Sequence, residues 1–420
     1  MMLESSSAGA VQPVAAALRS AASAEVDLPV VVLGGGPVGL VCALLLDRAG
    51  IGCAVLDARP LEALQRDRRL LALSRGSLLL LESLLGSGFA PMAPIERVHV
   101  SSRGDLGAAH LSAQDFDGTR LGATVWYADL VAALDAAAQA RSGIRLQRSC
   151  RAGPVQQLPD RVRIALDDGS CLEARLAVDA EGTPARAMDE AAKVRSLAML
   201  ADLDLAALAP GDAVERFTRE GPLALLPLPP AGGARAADRV SMIWCQPAAL
   251  AQERMQWDDA RLCRRIGEAL GPRWGTPAAI GPRLLFPLVT HRLERVYEHR
   301  LVHLGNAAQT LHPVAGQGFN LGLRDCACLA ECLADSRVRA LQAAAGPMPA
   351  GFDPAAALAR YGRRRRIDRR LLPALTGVLP PLFSSNLAPV VACRSAALVA
   401  LDVLPGLRRS FTRLLMFGAG

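Results

Sequence analysis

The chain predicts an α/β protein in which a parallel-sheet layer is interrupted by a β-rich insertion and followed by C-terminal helices. Three observations carry that reading. The apolar run Val30-Val31-Val32-Leu33 leads directly into Gly34-Gly35-Gly36-Pro37-Val38-Gly39 and then into a helical stretch. A second glycine-rich block, from Gly305 to Asn320, follows the run Leu301-Val302-His303-Leu304 about 270 residues later. Between the two blocks the pattern changes from alternating β and α segments to mostly β.

The first block has every part of a βαβ unit: a strand at 30–33, a helix over 38–49 and a returning strand at 54–57. Gly34 suits the tight turn, Gly36 lets backbone approach a pyrophosphate, and Gly39 lets the helix pack closely on the strand. Pro37 and Val38 open that helix, whose first amides aim at phosphate oxygens. Asp57 ends the second strand, where a carboxylate can accept hydrogen bonds from both hydroxyls of an adenosine ribose and would repel a 2′-phosphate. The expected ligand is therefore a dinucleotide with a free ribose diol, FAD or NAD. The alternative is a glycine-rich turn in an unrelated α/β protein.

Further along, 161–166 and 170–174 read as a hairpin around Asp167-Asp168-Gly169, and 175–180 as a further strand returning to the first sheet. Strand-like runs at 224–228 and 240–244 belong to the insertion. The expected organisation is a disordered extension over 1–28, a discontinuous nucleotide-binding domain over 29–92, 119–188 and 283–345, a substrate domain over 93–118 and 189–282, and a basic, apolar helical region over 346–420.

Composition narrows the class. With 420 residues, 51% apolar and 21% charged, the chain can bury a large core in two or three domains. Its ten cysteines are scattered, which reads as reduced thiols in the cytoplasm. Cys326, Cys328 and Cys332 lie in an expected helix where the first two face apart, and no histidines or second cysteine pair complete a metal set. Arg19 is the only basic residue of the first 28, too few for a targeting peptide. The net charge of +7 is placed at one end: 360–420 holds eleven Arg and two Asp, so the rest of the chain sums to −2. Arg363 to Arg366 with Arg369 and Arg370 border a helix that starts at Asp353-Pro354, and 371–393 carries no charge. Pro373, Pro380, Pro381 and Pro389 are expected to break that segment into two short helices. Two readings stay open: contact with an anionic surface, peripherally on the inner membrane, or a solvated helix followed by segments packed on the protein. With 4% aromatics and no recognisable module, nucleic-acid binding is excluded.

At the second block, Gly305-Asn306-Ala307-Ala308-Gln309-Thr310-Leu311-His312-Pro313, Gly316-Gln317-Gly318 and Asn320 to Asp325 resemble the flavin-proximal motif of class A aromatic hydroxylases of the para-hydroxybenzoate hydroxylase type. Asn306 and the wording Gln309 to Pro313 are similar to the ubiquinone-biosynthesis branch acting on a 2-polyprenyl-6-methoxyphenol. Supporting stretches are Asp67 to Ser74, Arg216-Phe217-Thr218, Trp244-Cys245 and Pro287-Leu288. The resemblance runs from about residue 28 to 390 and implies a Rossmann-like FAD-binding domain with an inserted β-rich substrate domain.

It also implies roles. Asn306 would bond the ribityl chain of FAD, Arg69 would join the cofactor site, and Pro313 would pack near the ring edge. Gly316, Gln317 and Gly318 would pass beside the isoalloxazine before a helix begins near Phe319 and Asn320, its amides favouring the reduced anion. The implied reaction is NAD(P)H reduction of FAD, capture of O2 as a C4a-hydroperoxide, and oxygen transfer to the aromatic ring of a prenylated phenol. Leu225, Met242, Trp244 and Phe286 are candidates to line an apolar tunnel. The family's Asp-Gly motif is altered here: Glu181 stands at the Asp position, Ala185 where Ser is usual and Met188 where Arg is expected, with Arg186 nearby. A FAD-binding accessory subunit of a quinone-synthesis complex and a non-oxygenating flavin reductase remain alternatives on the same fold.

Overall fold

The computed structural model describes residues 28–116, 118–185, 187, 196–230, 239–311, 316–343 and 353–418. The extension 1–27, Arg186, Met188, His312 and Pro313 lie outside the described residues.

The first sheet is built around Leu28–Leu33. Cys53–Asp57 and then Ile144–Arg148 lie parallel on one side of it, and Cys171–Asp179 and then Leu301–His303 parallel on the other. Val30, Val31 and Val32 are fully buried, because helices cover one face and the antiparallel strands Ala152–Gln157 and Val162–Leu166 pack on the other, and the strand reads as a continuous apolar run. Leu28–Leu33 thus sits where the chain's crossovers change direction, and ligands of open α/β sheets bind beyond the carboxyl ends of the strands at that point. The hairpin forms around Gly169, but the stretch expected as two strands over 170–180 is the single strand Cys171–Asp179. The first part of Cys171–Asp179 pairs antiparallel with Val162–Leu166, and Ala174 to Asp179 pair parallel with Leu28–Leu33. No glycine or proline interrupts 171–179, so one extended segment serves both edges.

Pro37–Arg48 packs against the long helix Gln317–Ala343 over one apolar core, in which Leu40, Val41 and Leu44 meet Leu323, Cys326, Leu329 and Leu333. Cys326 donates to the Val38 carbonyl at 3.3 Å and Cys332 is buried in the same apolar cluster, so both are core residues. A small antiparallel sheet of Leu70–Ser74, Gly122–Trp126 and Met92–Ile95 closes one side.

The second large sheet runs Ala279–Ile280, Ser196–Asp204, Arg239–Pro247, Gly221–Pro227, Asp212–Thr218, Arg97–Ser102 and Ala108–Ser112. Leu284–Pro287, which the sequence boundary at 283 assigned to the nucleotide-binding unit, also pairs with Ser196–Asp204. Helix Asp259–Leu270 covers one face: Asp258 caps its start through the Arg261 amide at 2.7 Å, and Leu262 and Ile266 pack on Leu225, Met242 and Trp244.

Four helices follow: Ala355–Arg365, Asp368–Ser384, Ala388–Val403 and Pro405–Phe417. Two helices span the uncharged segment as expected, but the break falls only at 385–387, and Asp368–Ser384 runs straight through Pro373, Pro380 and Pro381. Packing outweighs the roughly 3 kcal/mol each interior proline costs. Leu372 is fully buried, Phe383 stacks on Phe217 at 3.9 Å, and buried Thr376 donates to the Leu372 carbonyl. The arginine run divides. Arg363, Arg364 and Arg366 are exposed, whereas Arg365 is buried with Nε 2.7 Å from Asp325 and Nη1 2.5 Å from Asp368. Burial pushes the Asp325 carboxyl above its ordinary range despite the charge and hydrogen bond of Arg365. Arg365→Met is expected to lower stability in urea by about 3–5 kcal/mol, because it leaves an uncompensated buried carboxyl; a loss of under about 1 kcal/mol would show that the pair does not anchor these helices.

Candidate functional site

At the first glycine turn, Gly34 has φ +97°, and a Cβ there would lie 2.5 Å from the Ala180 carbonyl oxygen. A Cβ on Gly39 would lie 1.8 Å from the Gly34 oxygen, so the helix sits on the turn with no room for a methyl group. Gly36 differs. It is the N-cap, its φ is −76°, and the nearest atoms a Cβ would meet are Tyr127 Oη at 3.5 Å and Arg59 Nη2 at 3.9 Å. The space at Gly36 is therefore open, bounded by a phenol and a guanidinium, in front of the first amides of Pro37–Arg48.

Asp57 is buried at the end of its strand. Its Oδ2 accepts the Gly35 amide and Arg59 Nη2, at 2.8 and 2.9 Å, and its Oδ1 accepts the Arg59 amide and Nε. Arg148 stands 3.6 Å away. Burial pushes the Asp57 carboxyl up, but the hydrogen bonds and charge of Arg59, with the charge of Arg148, outweigh it and hold the carboxyl below its ordinary value. Asp57 is thus ionised and aligned, with Arg59 lying over it.

The second glycine block meets the first through Val38. A Cβ on Gly305, whose φ is +56°, would lie 3.1 Å from Val38 Cγ2, and a Cβ on Gly322 would lie 3.1 Å from Gly305 Cα and 3.2 Å from Val38. Asn306 stands exposed on the short turn Gly305–Ala307, and its side-chain amide makes no hydrogen bond among the described residues. Gly318 has no atom within 4 Å of an added Cβ, and the long helix begins one residue before it. Asn320, named from sequence as a cofactor contact, is occupied by the protein. Its Oδ1 accepts the Ser74 amide at 2.8 Å, and its Nδ2 donates to the Ala72 and Gly316 carbonyls at 2.9 and 2.8 Å. It ties Leu70–Ser74 to the helix entry and positions the loop. Arg69 forks onto Asp67 and lies 4.9 Å over the Tyr127 ring.

Between the two blocks lies Glu181. Asp179 holds its turn, accepting the Glu181 amide at 3.1 Å and pairing with His303 at 2.8 Å, and Thr183 meets Thr310 across the gap at 3.1 Å. Burial, then the charges of Asp179 and Asp57, push the Glu181 carboxyl up. Arg59, Tyr127 and Asp179 carry no sequence signal of their own beyond nearness to Asp57 and to the altered motif.

These parts open onto one cavity of about 790 Å³. Every described residue named from sequence as a cofactor or flavin-proximal contact lines it except Gly34, Gly39 and Asp57. Its far end is apolar, with Ala224, Leu226, Ile243 and Phe217 from the second sheet and Leu398 and Met416 from the C-terminal helices. Three of the four tunnel residues expected from sequence are therefore displaced by one position: Leu225, Met242 and Trp244 face helix Asp259–Leu270, and their strand neighbours face the cavity, while the fourth, Phe286, is not among the lining residues. Successive side chains of a strand point to opposite faces, and the sequence alone does not say which face the helix covers.

The FAD binding domain family matches residues 27–340. The ubiquinone hydroxylase UbiL of Rhodospirillum rubrum is 32% identical over 414 residues, covering 93% of this chain and 90% of that protein. The chain belongs to the FAD-dependent ubiquinone-biosynthesis hydroxylases. The 3-demethoxyubiquinol 3-hydroxylase of Escherichia coli is 27% identical, covering 90% of this chain and 96% of its own. Among solved structures, PqsL of Pseudomonas aeruginosa superposes with TM-score 0.68 at 20% identity, over 87% of this chain and 99% of that one. The p-nitrophenol 4-monooxygenase PnpA of Pseudomonas putida does so with TM-score 0.67 at 16%, over 94% and 99%. These two share the fold.

FAD is the cofactor of this flavoprotein monooxygenase, and a phenolic substrate, O2 and a reductant are its partners. The residues present fit the cofactor: an open approach at Gly36 and Gly318, and a cavity joining both glycine turns. Gly36→Ala is expected to fold with a melting temperature close to the parent while losing FAD affinity by about tenfold or more, because the methyl enters the pyrophosphate approach. Gly39→Ala is expected not to fold. Full retention of yellow colour in folded Gly36→Ala would remove the pyrophosphate from that turn. Glu181 gives a pH test on the flavin-free protein. Its pKa is raised in the fold, so the stability it contributes is present below the unfolded value and lost as pH rises through the folded one. Glu181→Gln is expected to raise the melting temperature at neutral pH and to leave it unchanged near the acidic end; equal shifts at both would contradict the assignment.

Proposed function

We propose that this hydroxylase takes a polyprenylated phenol, with its ring held beside Gly316 to Phe319 and its prenyl chain running into the apolar end of the cavity. The observation that carries this is the continuity of that one cavity, from the open glycine turns to walls of Leu226, Ile243, Leu398 and Met416. A small polar phenol needs no such length of apolar surface, whereas each buried methylene of a prenyl chain contributes about 0.8 kcal/mol to binding.

In this reading Gly36, Pro37, Val38, Gly39 and Gly34 form the pyrophosphate turn, and Asp57 receives the adenosine ribose. Arg59 and Arg69 bring positive charge to the phosphates. Asn306 holds the ribityl chain with an amide that makes no bond among the described residues, and Glu181 borders the same stretch. Gly305, Gly316, Gln317, Gly318, Phe319 and the first amides of Gln317–Ala343 face the ring system. Bound FAD supplies the reduction by NAD(P)H and the activation of O2. The protein's part is to orient the phenol, to exclude water through the apolar walls and to stabilise negative charge through the N-terminal amides of the long helix. Asn320 and Asp179 act behind these residues by fixing the loops that carry them.

A prenylated phenol resides in a bilayer, so an enzyme that takes it works at a membrane surface on the cytoplasmic side. Anaerobic mixing of the FAD-loaded protein with NADPH or NADH tests the redox role: the flavin absorbance is expected to bleach faster when a prenylated phenol is present, and readmitted O2 to yield hydroxylated product. Bleaching without product would make the protein a reductase, and no bleaching with either donor would make it a FAD-binding accessory subunit.

A further inference from the structure

We propose that the outer face of helices Asp368–Ser384 and Ala388–Val403 seats this protein on an anionic bilayer, beside the point where the cavity reaches the surface, so that the substrate's tail passes directly from lipid into the protein. The inference deepens the proposed prenylated-phenol reading and rests on it for the identity of the tail.

Helix Ala388–Val403 has its polarity reversed relative to a helix that faces water. It carries two charged residues, and the protein engages both. Arg394 is buried, donating to Asp105 at 2.8 Å and to the carbonyls of Leu382, Phe383 and Ser385. Asp402 accepts the His110 amide and pairs with His110 Nδ1 at 2.9 Å. The exposed positions include Ala388, Pro389, Ala392, Ala396, Val399 and Val403, and no exposed residue of this helix is charged or bears an amide or a hydroxyl. Amphipathic surface helices place their charges outward.

The neighbouring helix continues the pattern: after Arg370 its exposed positions as far as Pro381 are apolar, Leu371 and Val378 among them. Nine of the twelve large apolar side chains exposed among the described residues fall between Ile367 and Phe417, with Val403 66% and Leu387 67% exposed. A tenth, Leu106 at 84%, is on the loop whose Gly107 rests against Val399.

Charge borders this apolar strip at both ends. Arg363, Arg366 and Arg370 precede it, and Arg409 and Arg413 are exposed on Pro405–Phe417, which bends 97° from Ala388–Val403. Among the described residues no single helix is long and apolar enough to cross a membrane. An apolar strip flanked by arginines is the pattern of a segment lying in the headgroup layer of anionic lipid. Between Leu371 and Val403 the exposed hydroxyl and amide side chains among the described residues are Ser384 and Asn386, at the junction of the two helices, too few for a protein partner, whose interfaces carry about one hydrogen bond per 100–200 Å². The inner sides of the same helices line the cavity through Leu379, Leu382, Leu398 and Leu401, and Ala397 both lines it and is exposed.

The test uses the FAD-loaded full chain, sedimented with vesicles of phosphatidylcholine alone or mixed with phosphatidylglycerol, and its Val399→Glu/Val403→Glu double variant, whose new side chains face outward. The parent is expected to sediment with the mixed vesicles and less with the neutral ones, and the variant to lose binding by at least about tenfold, as two valines leave the bilayer. The variant is expected to keep its flavin and its turnover of a short-chain phenol while losing turnover of a long-chain one presented in vesicles. Parent protein that ignores anionic vesicles, or a variant that binds them equally, overturns the proposal, as does an equal fall in turnover of both phenols. A parent dimer that the variant splits into monomers makes the face a contact between copies and also overturns it. Colourless protein that still binds vesicles through Val399 and Val403 would sink the flavin reading and support the docking face.

Discussion

The wedge of Val38 between Gly305 and Gly322 is the contact on which the site depends. Two turns about 270 residues apart in sequence approach so closely that an added Cβ on either glycine would fall within 3.1–3.2 Å of its neighbours. Cys326 strengthens the same junction by donating to the Val38 carbonyl. With that contact made, the amino ends of Pro37–Arg48 and Gln317–Ala343 open onto one cavity, and two sources of partial positive charge address a single extended anion.

Around this junction, acids with little exposure are tied to nitrogen-bearing side chains of the chain. Asp57 is held by Arg59 and Arg148, Asp179 by His303, and Asp325 by Arg365. The third of these lies away from the cavity and joins the C-terminal helices to the long helix, so the apolar wall of the site is mechanically continuous with its glycine end. The reversed helix Ala388–Val403 belongs to the same scheme, because Arg394 and Asp402 hold it to Asp105 and His110 and leave its outer side apolar.

Much of this was legible in the chain, for identifiable reasons. The glycine turns were, because a side chain at Gly34 or Gly39 would collide with backbone and the local pattern records that necessity. The parallel sheet was, because strands buried on both faces read as continuous apolar runs. What escaped depends on partners far away in sequence. The facing of Leu225 and Leu226 is decided by helix Asp259–Leu270, and the burial of Arg365 by Asp325, forty positions earlier. Pro373 and Pro381 were read as breaks because their cost is local, whereas the packing of Leu372 and Phe383 that offsets it is not. Asn320 was named for its place in a motif, and only geometry shows that its amide is occupied by Ser74, Ala72 and Gly316.

The most direct test of the central claim is a crystal structure of the protein with FAD bound. One FAD is expected stretched across the Val38 junction, its pyrophosphate on the amides after Gly36 and its ring system beside Gly318, with Gly305 still against Val38. A flavin lying elsewhere, or glycine turns that separate to admit it, would contradict the account.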